Sequence, residues 1–188
     1  VIDINTLGVL YMVSGDSDIE SVADLKNRTI YLTGKGTTPD YSLQYILTQN
    51  GMSSEDVELE YQSEATQVAA VMAEKPDAVG LLPQPFVTAA CAQNEALSVV
   101  LDMNEEWDKV QGEDGSSMVT GVTVVRNDFL KSNPEAVDTF LKEHEESAQA
   151  ANTEVERVAK LAVEAEIIAK EPIAMKAIPK CNIVCIRG

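Results

Sequence analysis

The strongest constraint on the fold is a strand, a glycine loop and a helix that follow one another within residues 29–51. Residues 29–33 form a β-branched, apolar run of strand length, and the loop 34–38 contains two glycines. Residues 38–40, Thr-Pro-Asp, give start signals for a helix: a capping hydroxyl, a proline suited to the first helical position and a carboxylate that complements the helix dipole. Gly51 is placed to end this helix. The stretch therefore predicts a β–loop–α unit with an open helix N-terminus.

A helix N-terminus of this kind can bind a carboxylate, sulfonate or phosphate, because its first N–H groups have no partner within the helix. Gly34 and Gly36 would let a ligand approach the backbone closely. The hydroxyls of Thr37 and Thr38 could donate hydrogen bonds, and Lys35 could add a positive charge. The alternative is a well-capped helix without a ligand. A nucleotide-binding P-loop is disfavoured, because Gly36 follows Lys35 where that motif needs Ser or Thr.

Strands and helices alternate as far as residue 101. Further strands are predicted at 57–61, 77–82 and 97–101, and further helices at 64–74 and 87–93. This order predicts a doubly wound α/β lobe with right-handed crossovers. In open sheets of this kind, ligands bind outside the carboxyl ends of the strands. We therefore expect the loops 34–38 and 83–86 to share one edge of the sheet, and Glu64, which also follows a strand end, to be either a ligand contact or a helix cap.

The segments outside the alternating stretch 29–101 are predicted from weaker patterns. They are a strand at 7–13, an acidic surface excursion at 104–117, a strand at 118–125, helices at 127–131, 134–152 and 155–169, and an apolar run at 183–188. Exposed apolar strands at either end of the chain would favour a dimer through their edges.

Composition and charge exclude several functional classes. The 188 residues suit one domain or two small lobes, and their net charge of −17 disfavours binding to nucleic acid or directly to a membrane. No apolar run approaches the ~20 residues of a membrane-spanning helix.

The three cysteines, Cys91, Cys181 and Cys185, form no disulfide framework and are interpreted as buried free thiols. His144 lies between glutamates and is interpreted as a surface histidine, so no metal, cofactor or catalytic residue is predicted.

Several segments resemble one known family when they are taken together. They are residues 21–30 (SVADLKNRTI), 36–41 (GTTPDY), 44–47 (QYIL), 77–88 (DAVGLLPQPFVT) and 124–130 (VVRNDFL). In this order they resemble the solute-binding proteins of ABC transporters, in the sulfonate-, nitrate- and thiamine-precursor-type branch of the type II periplasmic-binding fold. Members of that family are longer, so the chain is expected to be a fragment with one complete and one incomplete lobe.

The resemblance implies a two-lobed clamp around a solute. Residues 14–117 would form the complete second lobe, and residues 1–13 and 118–188 would be partial segments of the first lobe. Closure would be a hinge motion around residues 12–16 and 116–120. The implied ligand-binding residues of the second lobe are Gly34, Lys35, Gly36, Thr37, Thr38, Glu64, Pro83, Gln84 and Pro85, with the prolines as a rigid wall and Gln84 as an adaptable hydrogen-bond partner. Those of the first lobe are Gly8, Thr120 and Gly121.

The implied function is that of an extracytoplasmic receptor, periplasmic or anchored as a lipoprotein, which presents an anionic or zwitterionic solute to a membrane ABC permease. One alternative is an enzyme on the same bilobal fold, such as a dehydratase or a thiamine-pyrimidine synthase. Lys35 is its only candidate reactive group beside the expected cleft. The other alternative is the ligand-sensing domain of a regulator, although no DNA-binding helix pair or basic stretch is present in the sequence.

Overall fold

The computed structural model of the protein describes residues 1–112 and 115–188. Glu113 and Asp114, which belong to the predicted excursion 104–117, lie outside the described residues. Contacts divide the chain into a larger unit, Val9–Met118, and a smaller unit made of Val1–Gly8 and Val119–Gly188. The assignment of these units to the lobes of a binding clamp stays a prediction.

The strands are β1 (Asp3–Thr6), β2 (Leu10–Ser14), β3 (Thr29–Thr33), β4 (Glu58–Gln62), β5 (Val79–Pro83), β6 (Ser98–Asp102), β7 (Gly121–Thr123) and β8 (Ile183–Arg187). The α-helices are α1 (Thr38–Gln49), α2 (Ala65–Glu74), α3 (Phe86–Gln93), α4 (Met103–Gln111), α5 (Asn127–Ser132), α6 (Pro134–Thr153), α7 (Val155–Glu164) and α8 (Glu171–Ala177). None of the helices in the described ranges is long and apolar enough to cross a bilayer.

The larger unit contains a five-stranded sheet in the order β4-β3-β5-β2-β6. β3 pairs in parallel with both β4 and β5, whereas β2 is antiparallel to β5 and β6. The predicted α/β class is confirmed. The antiparallel strand is a difference, since the prediction placed residues 1–13 in the other lobe. β2 belongs to this sheet because Met12 and Val13, both fully buried, pair with residues of β5 and β6.

Helices cover both faces of this sheet, as the alternating pattern predicts. On one face, Leu43, Ile46 and Leu47 of α1 pack in one cluster with Ile30 and Leu32 of β3, and all five are fully buried. On the other face, helices α2 and α3 contribute Val68, Met72 and Val87 to a second cluster. Each fully buried aliphatic side chain contributes roughly 1.5–3 kcal/mol of hydrophobic stabilisation. The two clusters therefore fix β3, and with it the loop at its carboxyl end.

Helix α4, Met103–Gln111, replaces part of the excursion predicted at 104–117, so that prediction was wrong for residues 104–111. The Asp102 carboxylate caps the helix by accepting from the Asn104 N–H at 2.9 Å. Met103 is 1% exposed, and the ring centroid of Trp107 lies 4.8 Å from that of Tyr45 on α1. The acidic residues of this segment had led to the prediction of a surface excursion, although the segment forms a helix with one apolar face.

The smaller unit contains a three-stranded antiparallel sheet in the order β7-β1-β8. Its helical part packs around small side chains, among them Ala151, Ala159 and Ala174. β7 covers only three of the eight residues predicted as a strand at 118–125. β7 and β8 lie at the edges of this sheet. The dimer predicted through such edges stays a prediction.

Candidate functional site

The candidate site lies at the carboxyl ends of β3, β4 and β5. These three strands run in the same direction, with Ile30 opposite Val79 and Tyr31 opposite Gly80 between β3 and β5. The glycine loop 34–38 follows β3, and the loop 83–86 follows β5. Because β3 and β5 are direct neighbours, both loops leave the sheet at the same edge. Glu64, which follows β4, lies at that edge as well.

The glycine loop is held by a tight turn. Gly34 and Gly36 have φ angles of +71° and +74°, in the left-handed region that favours glycine. The backbone N–H and the hydroxyl of Thr37 both donate to the carbonyl oxygen of Gly34, at 2.8 and 2.5 Å. A side chain on Gly34 would overlap the Thr37 hydroxyl. The Thr37 hydroxyl, predicted to donate to a ligand, thus donates within the loop.

Helix α1 begins one residue earlier than predicted. Thr37, not Thr38, is the N-cap residue, and its side chain makes no capping hydrogen bond because the hydroxyl points to Gly34. Pro39 lies in the first turn and has no N–H group. The N–H groups of Thr38 and Asp40 have no hydrogen-bond acceptor within the described part of the chain. The N-terminus of α1 therefore keeps the free donors that an anion would need. At the other end, Gly51 follows the helix with φ +74°, as predicted.

Asp40 connects the glycine loop to the sheet. It is only 3% exposed, and its carboxylate accepts from the Gly36 N–H at 2.7 Å, from Gln44 Nε2 at 2.6 Å and from the Tyr61 hydroxyl at 2.7 Å. Burial raises the pKa of Asp40, but these hydrogen bonds and the nearby charge of Lys35 outweigh it and hold the pKa below its usual value. Burial and the bond to Asp40 raise the pKa of Tyr61 to about 12. This network fixes the position of Gly36.

Lys35 is exposed, as expected for a charge at the rim of a site. Its Nζ lies 5.2 Å from the centroid of the Tyr61 ring, within the range of a cation–π contact. The Lys35 side chain therefore contacts the same tyrosine that donates to Asp40.

The loop after β5 contains a buried glutamine with one unused donor. Gln84 is 7% exposed, and its Oε1 accepts from the Thr88 hydroxyl at 2.8 Å and from the Thr88 N–H at 3.3 Å. Its Nε2 is buried and has no hydrogen-bond partner among the described residues. Gln84 is followed by a cis peptide bond to Pro85, which immediately precedes α3. Thr88 holds the amide through its oxygen, so Nε2 is the part of Gln84 that has no partner in the described chain. The adaptable role of Gln84 stays a prediction.

The other predicted ligand residues have local roles in the structure. Glu64 is exposed, directly precedes α2 and accepts from the Thr66 hydroxyl at 3.3 Å, without capping the helix backbone. Gly8, Thr120 and Gly121 lie in the smaller unit. The carbonyl oxygen of Gly8 accepts from the side chain of Asn182, and the Thr120 hydroxyl donates to Leu7 O at 2.6 Å. A side chain on Gly121 would overlap Asn5 of β1.

Sequence reasoning missed four residues of this edge. Asp40 was interpreted only as a dipole charge, and Tyr61 and Thr88 were not interpreted as site residues. Tyr41 is 63% exposed, and its hydroxyl lies 3.7 Å from the position that a Cβ on Gly36 would occupy. A carboxylate four residues after a loop glycine and four residues before a glutamine was the available signal for Asp40.

Comparisons with known proteins agree with this architecture. The periplasmic aliphatic sulphonate binding protein SsuA from Escherichia coli matches 98% of this chain and 59% of its own, with a TM-score of 0.74 and 16% identity. The periplasmic nitrate-binding protein NrtA from Synechocystis PCC 6803 matches 87% of this chain and 44% of its own, with a TM-score of 0.59 and 17% identity. A mutant of DSZB in complex with biphenyl-2-sulfinic acid matches 100% of this chain and 67% of its own, with a TM-score of 0.63 and 15% identity.

These likenesses show the fold, and they confirm the predicted periplasmic-binding-protein-like lobe. The chain spans 59% of the length of SsuA. No curated protein matched the chain in sequence. A family model described as NMT1/THI5 like matches residues 1–156. That match extends over most of the sequence, and the chain belongs to the NMT1/THI5-like family.

Proposed function

We propose that the chain belongs to the substrate-binding component of an ABC importer and that it binds the anionic or zwitterionic head group of a small organic solute. The observation that carries this proposal is the pair of neighbouring parallel strands β3 and β5. One ends in the open N-terminus of α1, and the other ends in Gln84 with its unpaired, buried Nε2. Neighbouring strands are about 4.8 Å apart, so one small head group could reach donors from both loops.

The donors of this edge suit an oxyanion. The N–H groups of Thr38 and Asp40 and the Thr38 hydroxyl would donate from the helix side, where the dipole also favours negative charge. Gln84 Nε2 would donate from the other loop, and Lys35 would add a charge at the rim. A buried donor without a partner costs about 1–3 kcal/mol, and a ligand oxygen that accepts from it would remove this cost. These donors act locally at the site, whereas the net charge of −17 is spread over the whole surface.

The names of the similar structures support an oxyanion as the ligand class. The SsuA structure is described as sulphonate binding, NrtA as nitrate binding, and the DSZB mutant holds a sulfinic acid. Sulfonate and sulfinate groups and the nitrate ion are all compact oxyanions whose oxygens accept hydrogen bonds. We infer that the solute of this chain presents a group of the same kind.

The remaining parts of the proposal rest on the family resemblance. They are the extracytoplasmic location, the membrane permease as partner, and the ligand contacts from Gly8, Thr120 and Gly121. Family membership and the periplasmic proteins of similar fold support them. The hinge predicted around residues 12–16 is not proposed again, because Met12 and Val13 are buried in β2 and paired with both neighbouring strands.

The likeness to DSZB, described as a desulfurization enzyme, supports an enzyme as the second candidate. Such an enzyme needs a reactive group close to the bound head group. Lys35, beside Tyr61 and the glycine loop, is the candidate in the larger unit. Lys35→Met would abolish turnover in an enzyme, whereas in a receptor it would only weaken binding.

Calorimetry of the full-length protein tests the two candidates. The panel contains alkanesulfonates, sulfinates, nitrate, pyrimidines and amino acids, and each mixture is analysed afterwards by mass spectrometry. The receptor proposal predicts one solute per protein, bound and recovered unchanged, with oxyanions the strongest ligands. Conversion of the solute would support the enzyme instead.

A further inference from the structure

Three side chains that are far apart in the sequence meet in the smaller unit. Asp3 lies on β1, His144 on α6 and Cys185 on β8, and one donor atom from each lies within 4.8 Å of the other two. The Asp3 Oδ2 and His144 Nδ1 atoms are 3.0 Å apart. The sequence predicted a surface histidine at His144 and a buried free thiol at Cys185. The interpretation of His144 was wrong, because its side chain is only 23% exposed and contacts a buried carboxylate.

The fold explains why these residues meet. β1 and β8 pair in antiparallel register, with Asp3 opposite Arg187, so that Cys185 lies two residues along the same face of β8. Helix α6 packs against β8, and Arg187 donates to the carbonyl oxygen of Leu141 on that helix at 2.6 Å. His144 lies three residues after Leu141, close to the same point of contact.

A second observation concerns the buried Asp3 carboxylate, one oxygen of which has no hydrogen-bond partner in the described chain. The side chain of Asp3 is 0% exposed, and its Oδ1 has no hydrogen-bond partner among the described residues. A buried carboxylate oxygen without a donor is costly, because it has lost its hydration without replacement. The contact between Asp3 and His144 uses only the other oxygen. A hydrogen-bonded pair alone would leave Oδ1 unexplained and give Cys185 no role.

We propose that Asp3, His144 and Cys185 form a binding site for a divalent transition metal, and that zinc fits it best. Carboxylate, imidazole and thiolate together are zinc ligands, whereas magnesium and calcium prefer oxygen alone. In a tetrahedral zinc site, neighbouring donor atoms are about 3.3–3.8 Å apart, as follows from metal–ligand distances of about 2.0–2.3 Å. The three donor atoms now lie within 4.8 Å of one another, so small side-chain rotations would bring them to this spacing.

The charge of the three ligands and their access to solvent both agree with a divalent metal. On binding, Cys185 releases its thiol proton to solvent, and the resulting thiolate and the Asp3 carboxylate balance the two positive charges of the metal. His144 is partly exposed, so solvent reaches the edge of the cluster, and a water would be the fourth ligand. The metal would join β1 to α6 and β8, which lie more than a hundred residues further along the chain.

Titration of the reduced full chain with Co²⁺, a spectroscopic substitute for zinc, tests the site. We expect a thiolate-to-cobalt charge-transfer band, visible bands of four-coordinate intensity, loss of both on addition of zinc, and a zinc-dependent rise in Tm. Cys185→Ser should abolish the charge-transfer band, and Asp3→Asn and His144→Gln should each weaken cobalt binding by at least about tenfold. Cys181→Ser is the matched control and should change none of these signals, because the Cys181 thiol donates to Ala177 O at 3.3 Å, outside the cluster.

Several outcomes would overturn the proposal. They are the absence of a charge-transfer band, its persistence in Cys185→Ser, or its loss in Cys181→Ser. An equal zinc-dependent shift of Tm in the chain and in all variants would also overturn it. Since Cys185→Ser replaces one half-buried atom by another of similar size, its circular dichroism will separate loss of metal from loss of fold.

Discussion

Gln84 is the residue with the most specific chemical consequence in the larger unit. Its oxygen is fixed by Thr88, so the direction of its Nε2 donors is set before any ligand arrives. Groups that are already oriented bind without an additional loss of side-chain entropy. The unpaired buried donor therefore raises the free energy of the free protein, and a ligand oxygen that accepts from it would make the complex more stable.

Replacing Gln84 by glutamate tests this role. Gln84→Glu keeps the oxygen that accepts from Thr88 but replaces the donor by a carboxylate oxygen, so it should weaken binding of an anionic solute by at least about tenfold, or about 1.4 kcal/mol. Gln93→Glu adds the same charge at the exposed end of α3 and should leave affinity nearly unchanged. Calorimetry measures both, and equal effects in the two variants would remove Gln84 from the site.

Asp40 gives a prediction for pH dependence. Its pKa is lowered in the folded protein, so it contributes stability above the usual aspartate pKa of about 3.9, and this contribution is lost as the pH falls through the lower folded value. Asp40→Asn places an amide N–H₂ opposite donors and should lower the free energy of unfolding by about 1–3 kcal/mol at pH 7. The difference from the unchanged protein should shrink between pH 5 and pH 2 in urea titrations.

The exposed Asp77 provides the comparison for this prediction. Asp77→Asn removes a carboxylate from the same unit and should change stability little at any pH. A difference between the protein and Asp40→Asn that stays constant from pH 7 to pH 2 would contradict the role assigned to the Asp40 carboxylate.

Individual residues were the hardest scale to predict from the sequence. The pattern identified Thr37, Thr38 and Gln84 as polar groups at strand ends, but hydrogen bonds within the protein decide which of their atoms remain free. Local spacing cannot reveal that Tyr61 of a different strand would orient Asp40. In the same way, His144 has glutamates as sequence neighbours, whereas its contact is with Asp3, 141 residues away.

At the scale of elements, the β3–loop–α1 unit contains three glycines with a left-handed backbone, Gly34, Gly36 and Gly51, whose replacement by alanine can be compared. Gly34→Ala meets both an unfavourable φ and overlap with Thr37, whereas Gly51→Ala meets only the unfavourable φ, with no atom within 4 Å of the new side chain. We expect Gly51→Ala to cost about 1–2 kcal/mol of stability and Gly34→Ala to cost clearly more. Urea denaturation of the two variants measures the difference.

Gly36→Ala separates loop geometry from overlap. Its φ is +74°, and the nearest atom, the Tyr41 hydroxyl, lies at an ordinary distance of 3.7 Å. Its stability should resemble that of Gly51→Ala. If Gly34→Ala is no less stable than these two variants, the contact between Gly34 and Thr37 does not hold the loop.

Helices and strands were predicted correctly from the sequence where the hydrophobic periodicity agreed with the residues that start and end an element. The unit made of β3, the glycine loop and α1 has strong signals at both ends, and its helix boundaries shifted by only one residue at the start. β2 and α4 were harder, because nothing local distinguishes an antiparallel strand from a parallel one, and the acidic residues of α4 concealed its buried face. Contacts with residues far along the chain decide both cases: β2 pairs with β5 and β6, and Trp107 of α4 packs against Tyr45.

At the scale of the whole molecule, the larger unit should fold by itself. Residues 9–118 are continuous in sequence and contain the clusters on both faces of the five-stranded sheet. A polypeptide of these residues should therefore unfold cooperatively in urea, with near-ultraviolet circular dichroism typical of fixed aromatic side chains. A broad transition without a near-ultraviolet signal would show that the unit needs the rest of the chain.

The family resemblance and the fold were accessible from sequence because several segments carry them in a fixed order. The ligand was not, because binding depends on a few donors whose direction only the folded chain sets. The central claim is that the edge formed by the loops after β3 and β5 binds an oxyanion.

Hydrogen–deuterium exchange of the full-length protein, with and without the oxyanion that calorimetry selects, tests this claim most directly. The account predicts that the ligand slows exchange at residues 34–41 and 83–88, with little change on the opposite edge of the sheet. Tight binding that leaves both loops unprotected while protecting another part of the larger unit would contradict it.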